Sequence, residues 1–152
     1  FDELWRRGST EKLVLVGRLG WQVEALRDTI LGHPSYGSKL LWFDDIEDAE
    51  LFGIYEACTG MIIASHGEGF GLPLIEALGH GKPVLARDLA VFRMHEGNGV
   101  HYFPVAAPTS ALADAVHQWL AAARDGAITV TRPTANWRDS ALVLLSAIHV
   151  HD

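Results

Sequence analysis

Two carboxylates bracket a glycine-rich turn in this chain. Glu68 stands inside Ser65-His66-Gly67-Glu68-Gly69-Phe70-Gly71-Leu72-Pro73, and Glu76 follows after seven intervening residues. Glycines at 67, 69 and 71 let a backbone turn sharply and let a ligand approach without a Cβ in the way. Pro73 suits the first turn of a helix, where the N–H it lacks would have had no intrahelical partner. Free N–H groups at such a helix start, together with the helix dipole, favour an anion such as phosphate. The spacing puts both acids at the border of one pocket. A plainer reading stands beside this one: Glu76 complements the helix dipole, worth about 0.3–1 kcal/mol, and Glu68 is a solvated loop acid.

The elements that position this turn alternate along the chain. Met61-Ile62-Ile63-Ala64, bounded by Gly60, reads as a buried strand feeding the turn, and Leu72–Leu78 as the helix leaving it. Leu13–Val16, Leu40–Phe43 and Val84–Ala86 read as further buried strands, with a short fifth around Tyr102-Phe103. Phe1, Leu4 and Trp5 have helical spacing up to Gly8. A helix from Trp21 carries Val23, Leu26 and Ile30 on one face and stops at Gly32-His33-Pro34. Another carries Leu51, Ile54, Tyr55 and Cys58. A longer helix after Pro108-Thr109-Ser110 carries Leu112, Val116, Trp119, Leu120 and Ala123, with Arg132-Pro133-Thr134 as its expected break. A last helix over about 136–149 is N-capped by Asn136 and carries Trp137, Ala141, Leu144, Leu145 and Ile148 on one face. Strands alternating with amphipathic helices imply an α/β fold, a Rossmann-like parallel sheet with helices on both faces. Residues 1–152 read as one domain. Open α/β sheets bind ligands at the carboxyl ends of their strands, where the turn lies.

Composition narrows the partners. Of 152 residues, 49% are hydrophobic and 20% charged, as in an ordinary globular domain. A net charge of -7 argues against nucleic acid or an anionic membrane surface as the partner. An anionic ligand would have to be held by local amides and a few arginines. A single cysteine, Cys58, cannot form an intrachain disulfide and suits a reducing, cytoplasmic compartment. No apolar stretch is long enough to span a bilayer. The chain opens Phe1-Asp2-Glu3, without Met, and reads as a piece of a longer protein.

The other candidate chemistries are weaker. His149-Val150-His151 is the tightest pair among eight histidines, yet no carboxylate or thiolate lies at ligand spacing, so no metal is expected. Cys58 falls on the apolar stripe of its helix and reads as packing. Trp21 and Trp137 read as core. His66, inside the turn, suits a structural hydrogen bond as well as a ligand contact. Gly17-Arg18-Leu19-Gly20 follows a strand but lacks the glycine fingerprint of a dinucleotide-dependent oxidoreductase.

The stretch Glu68-Gly69-Phe70-Gly71-Leu72-Pro73-Leu74-Ile75-Glu76-Ala77-Leu78 resembles the signature, two glutamates with seven residues between them, of the retaining GT-B glycosyltransferases of group 1 (family 4). The similarity continues through Gly81-Lys82-Pro83-Val84-Leu85-Ala86. Arg87-Asp88-Leu89-Ala90-Val91-Phe92-Arg93 resembles a variant found among bacterial mannosyltransferase-like members, and Leu13–Trp21 and Trp42–Ile46 also fit. The resemblance implies half of a GT-B fold, the carboxyl-terminal domain that binds a nucleotide-diphosphate sugar, truncated at its N-terminal side. It implies retaining transfer of a hexose, mannose among the candidates, to a glycan or lipid-linked acceptor held by a missing N-terminal domain. In polysaccharide biosynthesis such a protein would work in the cytoplasm, with peripheral attachment at the inner face of the membrane open to the full-length form.

By the same resemblance Glu68 is the catalytic residue facing the transferred sugar, either hydrogen-bonding its hydroxyls or supporting the oxocarbenium-like transition state. The N–H groups of Phe70, Gly71 and Leu72 meet the diphosphate, and Glu76 accepts from the ribose hydroxyls. Ser65, His66, Gly67 and Gly69 complete the donor-binding turn, and the loop at Asp45 and Ile46 borders the base. No cofactor or metal is implied; the nucleotide sugar is the substrate. The sequence departs from the family in two places. The basic pair that follows the domain's first strand lies upstream of the match, and Arg18, in a different loop, does not replace it. Met94 stands where a Glu is usual. Without the basic pair and the acceptor domain, this chain alone is expected to be inactive. The alternative of another class is a non-catalytic nucleotide-binding or interaction module of the same fold.

Overall fold

A computed structural model describes residues 1–20, 23–131, 141, 142 and 144–146. The expected positions of Trp21, Asn136, Trp137, Ile148 and the His149/His151 pair lie outside the described residues. Of the expected last helix, residues 141, 142 and 144–146 are described and are helical.

The chain divides into two compact units, residues 1–57 with 106–118 and residues 58–105 with 119 onward. In the first, α1 (Asp2–Arg6) buries Leu4 and is followed, after its cap Arg7, by Gly8, whose φ is +92°. Next come β1 (Leu13–Val16), α2 (Glu24–Leu31), β2 (Leu40–Phe43) and α3 (Asp48–Ala57). β1 and β2 pair in parallel, Leu13 opposite Leu40 through Val16 opposite Phe43. Both strands have the expected bounds, but not the expected burial: Val16 is 42% and Phe43 40% exposed. α2 likewise buries no residue fully, and Leu26 points out. Cys58 lies one residue past α3, not on its stripe, and its carbonyl accepts a hydrogen bond from Lys82 Nζ at 3.1 Å.

The second unit holds β3 (Met61–Ile63), α4 (Leu72–Gly79), β4 (Val84–Arg87), α5 (Ala90–Arg93) and β5 (Val100–Phe103). The strands pair in parallel in the order β3-β4-β5. Each parallel neighbour is reached through a crossover containing a helix, as that geometry requires. The expected parallel α/β architecture is therefore present in two ladders, one in each unit. β4 is the centre of the larger one, and Val84, Leu85 and Ala86 are almost wholly buried. α4 seals this core with Leu74, Ala77 and Leu78, spaced i, i+3 and i+4, so that Glu76 falls on its solvent side. Gly60 fixes where β3 starts: a Cβ there would stand 2.6 Å from the Pro83 carbonyl oxygen and 2.8 Å from the Trp119 ring.

α6 (Thr109–Arg124) begins where expected but ends early. Gly126, at φ +67°, takes the left-handed position, and the Ala127 N–H returns to the Ala122 carbonyl at 2.9 Å. That is a Schellman closure, which stops the helix before Arg132-Pro133. The short helix α5 has too few residues to show a period, and the sequence reading did not separate it.

Candidate functional site

β3 aims the chain at the turn. After Ile63 the backbone leaves the sheet, and Ser65 Oγ donates to Glu68 Oε1 at 2.6 Å, closing a local loop over three residues. The turn then enters α4 through Gly71, its N-cap, with φ +80° and no side-chain cap. Pro73 occupies the first turn, and the Leu74 N–H donates to the Gly71 carbonyl at 3.0 Å. Gly71 is buried against Phe92, where a Cβ would meet Cε1 at 2.6 Å. The other two glycines differ. Gly67 and Gly69 have no positive φ, and nothing within 4 Å would meet a Cβ on either. Only Gly71 is demanded by the fold; the other two leave the outer face of the turn open.

No N–H group from Gly67 to Leu72 donates to a backbone carbonyl of the described residues. These donors gather at the start of α4, where the helix dipole adds partial positive charge. His66, Glu68 and Glu76 are exposed around them, and Phe70 (56% exposed) and Leu72 (49%) add an apolar rim. The Glu76 carboxylate makes no hydrogen bond or ion pair with another described residue, so both its oxygens can accept.

Ser65, His66, Gly67, Glu68, Gly69, Phe70, Gly71, Leu72 and Glu76 thus share one turn and one helix start. Ile46 lies half-buried in the first unit, between β2 and α3. In the same unit Arg18 pairs with Asp45 at 2.7 Å, both exposed. A cavity of about 280 Å³ there is lined by Leu15, Val23, Leu26, Ile30 and Trp42, among others, and by none of the turn residues. Arg18 and Arg27 line it beside these apolar side chains. Among the described residues no group of three or more His, Cys, Asp or Glu could hold a metal ion, and no helix is long and apolar enough to cross a membrane.

The packing behind the turn was not legible as function. Arg87, at the end of β4, donates from Nε to the Ala64 and Ser65 carbonyls at 3.2 and 3.1 Å, from Nη2 to Ala64 at 3.1 Å, and from Nη1 to Val105 at 2.7 Å. Its guanidinium lies over the Phe103 ring, 5.3 Å from the centroid. The available signal was a lone arginine closing an apolar strand whose parallel neighbour feeds the turn. Beyond it Arg93 forks onto both oxygens of Asp88, at 2.7 and 2.6 Å, and covers Tyr102 at 4.3 Å. Those hydrogen bonds hold the Asp88 carboxyl below its ordinary pKa, while burial pushes the Tyr102 hydroxyl up. Tyr102 Oη donates to the Phe92 carbonyl at 2.8 Å, fixing the residue on which Gly71 rests. Met94 is 67% exposed at the end of α5.

The family model for glycosyl transferases group 1 matches residues 1–122. Two proteins of Escherichia coli, each described as serotype-specific mannosyltransferase WbdA, are similar to this chain. One is 43% identical over 121 residues, which cover 80% of this chain and 15% of that protein. The other is 38% identical over 152 residues, which cover 99% of this chain and 18% of that protein. The chain thus spans less than a fifth of the length of either relative.

Proposed function

From the premise that this chain belongs to the group 1 glycosyl transferases, we propose that its second unit binds the nucleotide-diphosphate sugar donor. The observation that carries the reading is the set of N–H groups from Gly67 to Leu72, open at the start of α4 between two exposed carboxylates. These amides suit a diphosphate, whose charge grows as the glycosidic bond breaks and it departs. Glu76, with both oxygens open, suits the paired hydroxyls of a ribose. Glu68, held by Ser65, suits the sugar, where it accepts from hydroxyls or stabilises the positive charge developing at the anomeric carbon. The transferred sugar is a hexose, and mannose is favoured by the names of the two relatives. The product keeps its anomeric configuration, and the acceptor is a glycan or a lipid-linked glycan held by another part of a longer polypeptide. The amides and the helix dipole meet the leaving group, so the scheme invokes no metal.

A ligand that binds only the folded state raises stability by RT ln(1 + [L]/Kd), about 2.7 kcal/mol at 100 times Kd. For a chain of this size that amounts to roughly 5–10 °C in Tm. UDP, GDP and ADP, each titrated to several millimolar, test the donor site by thermal shift. A rise with one of them supports it, and no rise with any of the three overturns it.

Glu76 has its own test. A hydrogen bond to a charged group is worth about 1.5–3 kcal/mol, so Glu76→Ala should weaken binding of the responding nucleotide at least tenfold. The 2′-deoxy form should then lose less affinity in the variant than in the parent chain. Equal discrimination by both proteins would reduce Glu76 to a solvated residue of α4.

A further inference from the structure

We infer that Arg87 is the positioning residue of this turn, holding the backbone from which Glu68 is aimed. The inference rests on the donor-site reading for its consequence, though not for its geometry. Arg87 closes β4, whose Val84, Leu85 and Ala86 are almost wholly buried, so its Cα is anchored at the end of the buried central strand. From there each of its three nitrogens donates to a backbone carbonyl: Ala64 and Ser65 after β3, and Val105 after β5. One planar cation thereby ties together the carboxyl ends of three parallel strands, and Phe103 supports it from beneath.

The consequence for Glu68 follows through covalent geometry. Ser65 presents its carbonyl to Arg87 and its hydroxyl to Glu68 Oε1 at 2.6 Å. A planar trans peptide sets the N–H of the next residue opposite to that carbonyl, so the His66 N–H is turned away from Arg87. One guanidinium therefore fixes the plane that starts the turn and, through Ser65, the orientation of its carboxylate. Lysine cannot substitute here. Its ammonium is a point charge on a flexible stem, whereas the three carbonyls need a planar fork. No carboxylate of the described residues lies within ion-pair distance of Arg87, so its contacts serve the backbone.

Order parameters from 15N relaxation, measured on this chain and on Arg87→Lys, Arg87→Met and Ser65→Ala, test the inference. In the parent the Ser65–Gly69 amides should sit near the rigid value of about 0.85, and in both Arg87 variants they should fall below about 0.6. The signals of Leu74, Leu78 and Leu85 should keep their positions. Ser65→Ala should leave its own backbone ordered. Affinity for the nucleoside diphosphate that binds the parent should fall between about 10- and 100-fold in both Arg87 variants, as expected when a binding group is displaced by about an ångström. Unchanged order parameters in Arg87→Lys, or full affinity there, overturn the positioning role and leave only a role for charge; Arg87→Lys keeps the test open if Arg87→Met fails to fold. If no nucleoside diphosphate binds the parent, the donor reading falls while the order parameters still decide Arg87.

Discussion

Gly71→Ala should destabilise the chain by about 2–5 kcal/mol, the largest stability effect expected in the turn. Two independent terms add. At φ +80° an L-residue carries a steric penalty of about 1–2 kcal/mol that glycine does not. The new Cβ would stand 2.6 Å from Phe92 Cε1, inside any permitted contact distance. Phe92 cannot easily withdraw, since it is wholly buried and its carbonyl is held by Tyr102. Overpacking of this kind costs about 1–3 kcal/mol. Thermal denaturation should show a fall of roughly 4–20 °C. Gly69→Ala is the control: its φ is ordinary and the space around it is open, so its stability should stay within about 0.5 kcal/mol of the parent. Equal losses in the two variants would mean that Gly71 owes nothing to its conformation or to Phe92.

That contrast shows where sequence reading succeeds and where it stops. β1 and β2 could be read to the residue, because a short apolar run between turn formers has few other homes in an α/β fold. α4 could be placed because Gly71 and Pro73 each have a strong local reason for their position. The three glycines nevertheless looked alike, and the left-handed φ of Gly71 and its tertiary neighbour Phe92 together separate it from Gly67 and Gly69. Arg87 was legible as part of a motif, not as a brace, because its partners are carbonyls of residues 22 and 23 positions earlier and 18 later. Backbone acceptors leave no mark in the sequence. The end of α6 was misplaced for a related reason: proline is a conspicuous stop, but Gly126 in the left-handed region closed the helix first. The burial of α2 and β1 depended on what covers them, which periodicity does not report.

Glu68→Gln should lower kcat about 10²–10³-fold in a polypeptide that joins this chain to an acceptor-binding part, while affinity for the bare nucleoside diphosphate changes by less than about twofold. The substitution isolates charge. Ser65 Oγ donates to Glu68 Oε1 at 2.6 Å, and a glutamine oxygen can accept the same bond, so the loop keeps its closure. Glutamine also keeps the size of the side chain and its capacity to accept from a sugar hydroxyl. What it loses is the negative charge that would face the anomeric carbon as the leaving diphosphate withdraws. If that charge is used mainly in the transition state, kcat and kcat/KM fall together. The bare nucleotide lacks the transferred hexose, so its binding is unaffected. Turnover measured with a nucleotide hexose, alongside calorimetry with the nucleotide alone, separates these outcomes. Near-parental turnover in Glu68→Gln would remove any role for the charge. A collapse in nucleotide affinity would place Glu68 in the scaffold of the turn, because removing a carboxylate that faced the phosphates would relieve like-charge repulsion and raise affinity instead. Ser65→Ala breaks the loop closure but keeps the charge, so it should weaken nucleotide binding in the same way if the carboxylate serves the scaffold, and spare it otherwise.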